Sequence, residues 1–205
     1  MTDHLLSKGA RGRPRRFDPN AALITGRALF HTHGYGALGI AAITEALGIR
    51  PASFYAAFGS KAAYFERIAE AYVAEVLPLE TFFRDDCPII DSIAKLLGEA
   101  ARTYTACSDQ AGCLILEALR ADRNDEGRRI AMRIAQIRRE KLQAFIARDA
   151  SAVALTVTDV VTVTMAGMSA AARDGVSCVC LEQVAAVATV GLRSLIEGGA
   201  YAGNQ

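Results

Sequence analysis

The sequence predicts an all-α protein, with a compact three-helix unit followed by a longer helical region. Three observations carry this. Apolar residues recur at i, i+3, i+4 spacing through almost every stretch from residue 17 onward. Glycine and proline fall at the ends of those stretches, at Gly34, Gly48, Pro51, Gly59 and Pro78, where helices start and stop. The one β-branched run that reads as a strand, 160–163, sits among alanines with no partner strand in view, so helix is preferred there too. The chain has 205 residues, 52% apolar and 22% charged, enough for one or two domains and a core without disulfides or metal. That apolar fraction excludes a disordered chain, and five prolines without a long Gly/Ser run exclude a collagen-like or linker-rich one.

Residues 1–16 read as a basic flexible arm. Lys8, Arg11, Arg13, Arg15 and Arg16 sit among glycines and a proline, with almost nothing apolar to bury. Such a segment either orders on phosphate or stays a solvated tail, and composition leaves both open. Structure begins at Phe17. Asp18 suits an N-cap, and Pro19 the first helical position, where its missing N–H costs nothing. Ala22, Leu23, Leu29 and Phe30 form the apolar stripe of this helix, and Gly34 stops it. A short second helix carries Ile40, Ile43 and Leu47 on one face and ends at Gly48, with Ile49 placed to tuck beneath the turn. Pro51 opens a third helix that runs through Phe58 to Gly59, with Phe54 and Phe58 as core. Ser60 caps a fourth from Lys61, in which Tyr64, Phe65, Ile68, Tyr72 and Val76 keep helical spacing up to Pro78.

Further helices are expected over 89–106, 111–121 and 128–148, then over 152–173 and 178–197, split by Asp174-Gly175. In 128–148, Ile130, Ile134, Ile137, Leu142, Phe145 and Ile146 share one face, with charges opposite. No repeat is apparent.

Net charge is +1, but unevenly spread: residues 1–61 hold eight Lys/Arg against three Asp/Glu, and the remainder fifteen against nineteen. A basic first third points to an anionic partner at that end only. Five scattered cysteines without a CxxC pair, and three histidines near the N-terminus, argue against a zinc site or disulfide framework; no cofactor or metal is expected. The opening residues lack the order of charge then apolar run that a signal peptide needs, so a cytoplasmic protein is expected. Mean hydropathy is +0.20, and 152–172 and 176–192 carry one charge each, Asp159 and Glu182. Threonines throughout the first stretch and the lack of an aromatic belt favour buried helices over membrane spans.

Two short helices joined by a glycine turn, here Leu47-Gly48-Ile49-Arg50, form the helix-turn-helix pattern. Leu47 and Ile49 anchor it on the first helix, and the N-terminal residues of the next helix, Arg50, Pro51, Ala52 and Ser53, are free to meet base edges in a major groove. Arg50 and Ser53 supply hydrogen bonds, and Ala52 allows close approach or meets a thymine methyl. Three small packed helices also occur without any nucleic acid.

The wider string is more specific. GRPRRFD, followed by ALITGRALFHTHGYGALGIAAITEALGIRPASFYAAFGSKAAYF, resembles the N-terminal domain of the TetR (tetracycline-repressor-like) transcriptional regulators over about residues 12–70. Ala28-Leu29-Phe30, Gly34-Tyr35, Ile43, Leu47-Gly48-Ile49, Tyr55, Phe58, Lys61 and Phe65 carry the match. The resemblance implies a basic arm at 1–16, a helix-turn-helix DNA-binding domain at 17–61 with its recognition helix at about 51–58, and a helical effector-binding and dimerisation domain at 62–205. It implies phosphate contacts for Tyr55 and Lys61, the latter at the positive end of the fourth helix. A packed tyrosine with a wet hydroxyl is the other reading of Tyr55. Arg11, Arg13, Arg15 and Arg16 then fit minor-groove or phosphate contacts. The sequence departs from the family where Ser or Thr usually opens the second helix: Leu38 and Gly39 stand there. Thr44 reads as the nearest exposed hydroxyl that can substitute.

In the C-terminal two-thirds the resemblance fades after about residue 75. Helices 152–173 and 178–197 are too apolar to face solvent, and their small residues (Ala166, Gly167, Ala170, Ala171; Ala185, Ala186, Ala188, Gly191) suit close helix approach. Pairing with a second copy in a four-helix interface is preferred over burial within one subunit. The resemblance places an effector behind the fourth helix. Candidate lining residues are Tyr72, Phe82, Phe83, Tyr104, Cys107, Cys113, Leu116, Ile137, Met165 and Met168, although a stripe at helical spacing is also ordinary core. Few charges interrupt these stretches, so an uncharged, apolar or aromatic small molecule is expected. Arg102, Arg138 and Glu117 are candidates for a polar end, unless simply exposed.

The expected function is a ligand-responsive, sequence-specific DNA-binding regulator: a homodimeric repressor released from a palindromic operator. A helical protein-interaction module, or a thiol-based sensor on the same scaffold, is the alternative. The cysteines read by default as small buried hydrophobes. No GxSxG, HExxH or P-loop occurs, and His31 and His33 read as surface or packing residues, so no enzyme is expected.

Overall fold

The computed structural model describes residues 18–202, with side chains to residue 198. The expected arm, 1–16, and Phe17 lie outside the described residues. Ten α-helices and two 3₁₀ turns follow in order, and no strand occurs among the described residues.

The N-terminal unit follows its capping residues. The Asp18 carboxylate accepts from Asn20 N at 2.9 Å and opens α1, Pro19–His33, which ends at Gly34. Helix α2, Ile40–Leu47, stops at Gly48, whose left-handed φ of 63° turns the chain sharply; Ile49 N then bonds Thr44 O at 3.0 Å. Helix α3 is Pro51–Phe58, and α4, Lys61–Val76, is capped by Ser60 Oγ accepting from Ala63 N at 3.0 Å. Phe54, Phe58, Tyr64, Phe65 and Phe30 close on one another, with centroids 4.4 Å apart for Phe58–Tyr64 and 5.0 Å for Phe30–Phe65. Ile43 of α2 and Phe54 of α3 are fully buried against this cluster. The buried Tyr64 hydroxyl donates to Ala22 O, and burial pushes its pKa up to about 12.

The C-terminal body is built round α6, Ile89–Thr105, whose Ile93, Leu96, Leu97, Ala100, Ala101 and Tyr104 are all buried. A four-residue helix, α5 (Leu79–Phe82), precedes it; four residues carry no readable period, and no helix was expected there. The expected helix at 111–121 is shorter, α7 at Leu114–Ala118, after a 3₁₀ turn at Ser108–Gln110. Gly112 explains this: it has φ 84°, and an added Cβ would lie 2.9 Å from the Ser169 carbonyl. Helices α8 (Glu126–Ala150), α9 (Ala154–Arg173) and α10 (Cys178–Ala202) complete the body, and 160–163 is helical as preferred. By length and composition alone, the stretches 126–173 and 178–198 are apolar enough to cross a membrane. Here α9 packs on α6 and α8, and α10 on α6 and α9.

Two joints tie the halves together. The Tyr35 hydroxyl donates to Glu126 Oε2 at 2.7 Å, and its ring lies on Gly127, where a Cβ would come within 2.4 Å. At the other, His31 is buried against Tyr72 and Arg173 reaches its carbonyl at 3.3 Å. Burial, with Arg173 and Arg27 nearby, holds the His31 pKa down at about 4, so the ring is neutral.

Gly26 on α1 is the tightest point of the N-terminal core: an added Cβ would meet Tyr64 Oη at 2.2 Å and Ile68 Cδ1 at 2.5 Å. Gly26→Ala is therefore expected to destabilise the protein by about 1–3 kcal/mol despite better helix propensity, measured by urea unfolding. A stabilised variant contradicts this packing.

Candidate nucleic-acid interface and internal cavity

The first turn of α3 faces outward. Arg50, Pro51, Ala52 and Ser53 are all exposed, while Phe54 and Phe58 hold the helix from beneath. Tyr55 is 49% exposed, with an edge-on ring contact to Phe54 at 5.7 Å between centroids. All five are exposed at the N-terminal half of α3, the end that a helix-turn-helix presents to a major groove.

Lys61 is more constrained than expected. Its ammonium donates to the carbonyls of Tyr35 and Leu38, each at 2.8 Å, and lies 4.0 Å from the Tyr35 ring centroid. It clamps the loop between α1 and α2 to the start of α4, and burial lowers its pKa. Two of its three N–H donors are taken, leaving one for a phosphate. Thr44 corrects the sequence reading. It is buried, and its hydroxyl donates to Ile40 O at 2.9 Å and Ala41 O at 3.1 Å, so it offers nothing to an outside ligand. Gly39 caps α2 with φ −86° and no side-chain bond, which confirms the missing hydroxyl there.

Behind α4 lies a cavity of ≈ 490 Å³. Of the sequence candidates it gathers Tyr72, Tyr104, Cys113, Leu116 and Met165. The others lie elsewhere. Phe83 stacks on Phe145 at 4.5 Å, and Phe82 is partly buried against the core. Cys107 is exposed, Ile137 is 50% exposed on the outer side of α8, and Met168 fills the core of α9. Arg102 is exposed and paired with Glu99 at 2.8 Å and Glu182 at 3.0 Å; Glu117 pairs with Arg173 at 3.3 Å. Arg138 does turn inward: it lines the cavity and donates to Leu77 O at 2.8 Å. Sequence reading also missed Arg128, Arg139, Gln136 and Thr162 on the wall. Burial pushes the Cys113 thiol pKa up, the opposite of an activated thiolate. All five cysteines are free.

On the outer side of α9 and α10, Val163, Val179, Val187 and Val190 are between 65% and 74% exposed. Gly167 and Gly191 lie on the same helices, and a Cβ at either would touch nothing within 4 Å. No intrachain packing demands glycine there. Ala185, by contrast, packs inside the subunit.

An exposed first turn on the second helix of a helix-turn-helix, mounted on an all-helical body with a half-open cavity, defines a DNA-binding transcriptional regulator. Comparison agrees. The family description "Bacterial regulatory proteins, tetR family" matches residues 23–68. The chain is 39% identical over 187 residues to the HTH-type transcriptional repressor BdcR of Escherichia coli (strain K12), covering 91% of this chain and 94% of that one. It is 29% identical over 189 residues to the repressor ComR of the same organism, covering 87% and 90%. Among solved structures it resembles a cysteine mutant of the TetR family regulator CifR in complex with 26-base-pair operator DNA, at TM-score 0.74 and 29% identity, covering 87% and 98%. The chain belongs to the TetR family.

Lys61→Met strands two carbonyls. We expect a loss of roughly 1–3 kcal/mol in folding stability together with weaker DNA binding. A variant that loses DNA affinity at unchanged stability would mean that the clamp contributes nothing to folding.

Proposed function

We propose that this protein is a homodimeric, cytoplasmic repressor that grips a palindromic operator and is released from it by a small, largely apolar molecule. The observation that carries this is the placement of one helix: α4 starts at the DNA-facing clamp, Lys61, and ends with Tyr72, Val73 and Val76 on the cavity wall. The DNA-binding unit is 17–61, with the arm at 1–16 before it and the effector and dimerisation domain at 62–205. Arg50, Pro51, Ala52 and Ser53 meet base edges. Tyr55 and the remaining donor of Lys61 meet phosphate, and Arg11, Arg13, Arg15 and Arg16 add backbone or minor-groove contacts. Operator DNA bound to CifR and the repressor names of the two relatives support this reading.

The open glycines and exposed valines of α9 and α10 support a second copy docked there, giving a four-helix interface. Two recognition helices then sit about one DNA turn, roughly 34–36 Å, apart. A ligand behind α4 releases DNA only through its higher affinity for the state in which that separation is wrong. The role is regulatory and involves no catalysis. The raised Cys113 pKa argues against that thiol, the one on the cavity wall, as a redox sensor.

Selection from random duplex DNA at near-physiological salt is expected to enrich an inverted repeat, with affinity falling steeply as salt rises. No enriched repeat with ligand-free protein sinks the proposal. On the selected site, Arg50→Ala is expected to cost about 1–3 kcal/mol and relax sequence preference. Tyr55→Phe should weaken all sequences alike, by about 0.5–1.5 kcal/mol. Val187→Asp should convert the dimer to monomer in sedimentation analysis, with loss of operator binding. A variant that stays dimeric places the interface elsewhere.

A further inference from the structure

The cavity wall is more basic than sequence analysis expected, which named only Arg138 of its arginines. No Asp or Glu among the described residues lines it, while three arginines do: Arg128, Arg138 and Arg139. Two are engaged. Arg128 donates to Ala121 O at 2.8 Å, and Arg139 pairs with Asp159 at 2.6 Å. Arg138 has one bond, to Leu77 O, and no ion pair with a described carboxylate. Glu80 is close enough to feel its charge but is held by Lys141 at 2.7 Å. A guanidinium has five N–H donors, so most of those on Arg138 are unused. Next to it, Tyr104 is 1% exposed and its hydroxyl has no oxygen or nitrogen partner, only the weakly bonding Cys113 sulfur beside it. A buried hydroxyl without such a partner is rare in native proteins and calls for an explanation.

We propose that the cavity takes a carboxylate-bearing amphiphile, with its anionic head on Arg138 and the Tyr104 hydroxyl and its apolar body against Val73, Val76, Leu96, Leu142 and Met165. This rests on the ligand-release reading and names the class of ligand. The polar side chains around the head position, Arg138, Tyr104 and Cys113, can all donate, and the one acceptor named there, the Leu77 carbonyl, is already taken by Arg138. Burial raises the Tyr104 and Cys113 pKa values, so both stay protonated, and it lowers that of Arg138, whose charge is held away from water without a paired carboxylate. An amine meets three guanidiniums and is rejected. An alcohol of equal length fills the apolar part but leaves Arg138 without a counter-charge. The expected uncharged ligand is thereby replaced by one that is apolar along its body and charged at one end. A volume of ≈ 490 Å³ falls within the usual range for a small-molecule site, about 300–1,000 Å³.

The test uses full-length protein and matched acid and alcohol pairs: octanoate and octanol, decanoate and decanol, 4-phenylbutyrate and 4-phenylbutanol. Binding is read by calorimetry, and operator release is read in parallel. At least one acid should bind about tenfold or more tighter than its alcohol, the range expected of a hydrogen-bonded charge. Arg138→Met should abolish that preference, Arg138→Lys should keep part of it, and Tyr104→Phe should reduce it several-fold. Helix content by circular dichroism identifies a variant that has unfolded, in which case Arg138→Lys and Tyr104→Phe carry the test. Alcohols binding as well as acids, no acid binding at millimolar concentration, or a preference that survives loss of the charge overturns the proposal. Release of operator by alcohols alone overturns the carboxylate while keeping ligand release. An acid that binds through Arg138 but leaves the operator bound keeps the site and overturns the release reading.

Discussion

One helix belongs to two cores at once, and the rest of the molecule is arranged round that constraint. Tyr64, Phe65 and Ile68 of α4 complete the aromatic cluster that holds α1, α2 and α3. One to two turns further on, Tyr72, Val73 and Val76 form a wall of the cavity. Sixteen residues span roughly 24 Å, so both ends move as one rod. Close-packed interiors switch between discrete arrangements rather than deform smoothly. A ligand that displaces the Tyr72 end must therefore either tilt the helix-turn-helix or break the packing of Tyr64, which Gly26 makes tight.

The two joints limit which tilt is available. Tyr35 is held from both sides, by the Lys61 ammonium over one part of the ring and by Gly127 and Glu126 of α8 on the other. That point acts as a pivot, because loosening it costs a hydrogen bond and an aromatic contact together. The second joint is mixed. Neutral His31 sits against Tyr72, while Arg173 links the His31 carbonyl to Glu117 on α7. The C-terminal end of α1 and the loop that follows it are thus tied to the body by side chains that also border α4 or α7, so the DNA-reading unit follows the cavity wall rather than drifting free of it.

Where local chemistry dictates structure, the sequence was readable. Asp18, Gly48, Ser60 and Gly59 each cap or turn the chain by their own side chain or φ, and the four N-terminal helices lie where those residues place them. Thr44 was misread although its period was available: four residues from Ile40 and next to Ile43, it shares the buried side of α2, where its hydroxyl satisfies itself on the preceding turn. The cavity was half readable. Tyr72, Tyr104 and Cys113 converge as expected, but whether a long arginine folds inward or outward depends on neighbours from other helices. Arg102 found Glu99 and Glu182 outside, and Arg138 found the Leu77 carbonyl inside. Ile137 shows the same limit, since α8 is long enough for its stripe to wind away from the core.

The apolar faces of α9 and α10 supply the fixed frame that α4 works against. A glycine in a helix interior costs about 0.5–1 kcal/mol relative to alanine, and neither Gly167 nor Gly191 is required by anything inside the subunit. Close approach by a second copy accounts for both and buries the exposed valines at the same time. Helix α9 then has two duties, because Thr162, Met165 and Ala166 also line the cavity. In the proposed dimer α9 is held by its partner, and α4 is then the wall that yields when the cavity is filled. A ligand bound by its charge at Arg138 and by its body along α4 spends its binding energy where the DNA-reading geometry is set. The same molecule bound to a monomer would find both walls free and would have no fixed spacing to disturb.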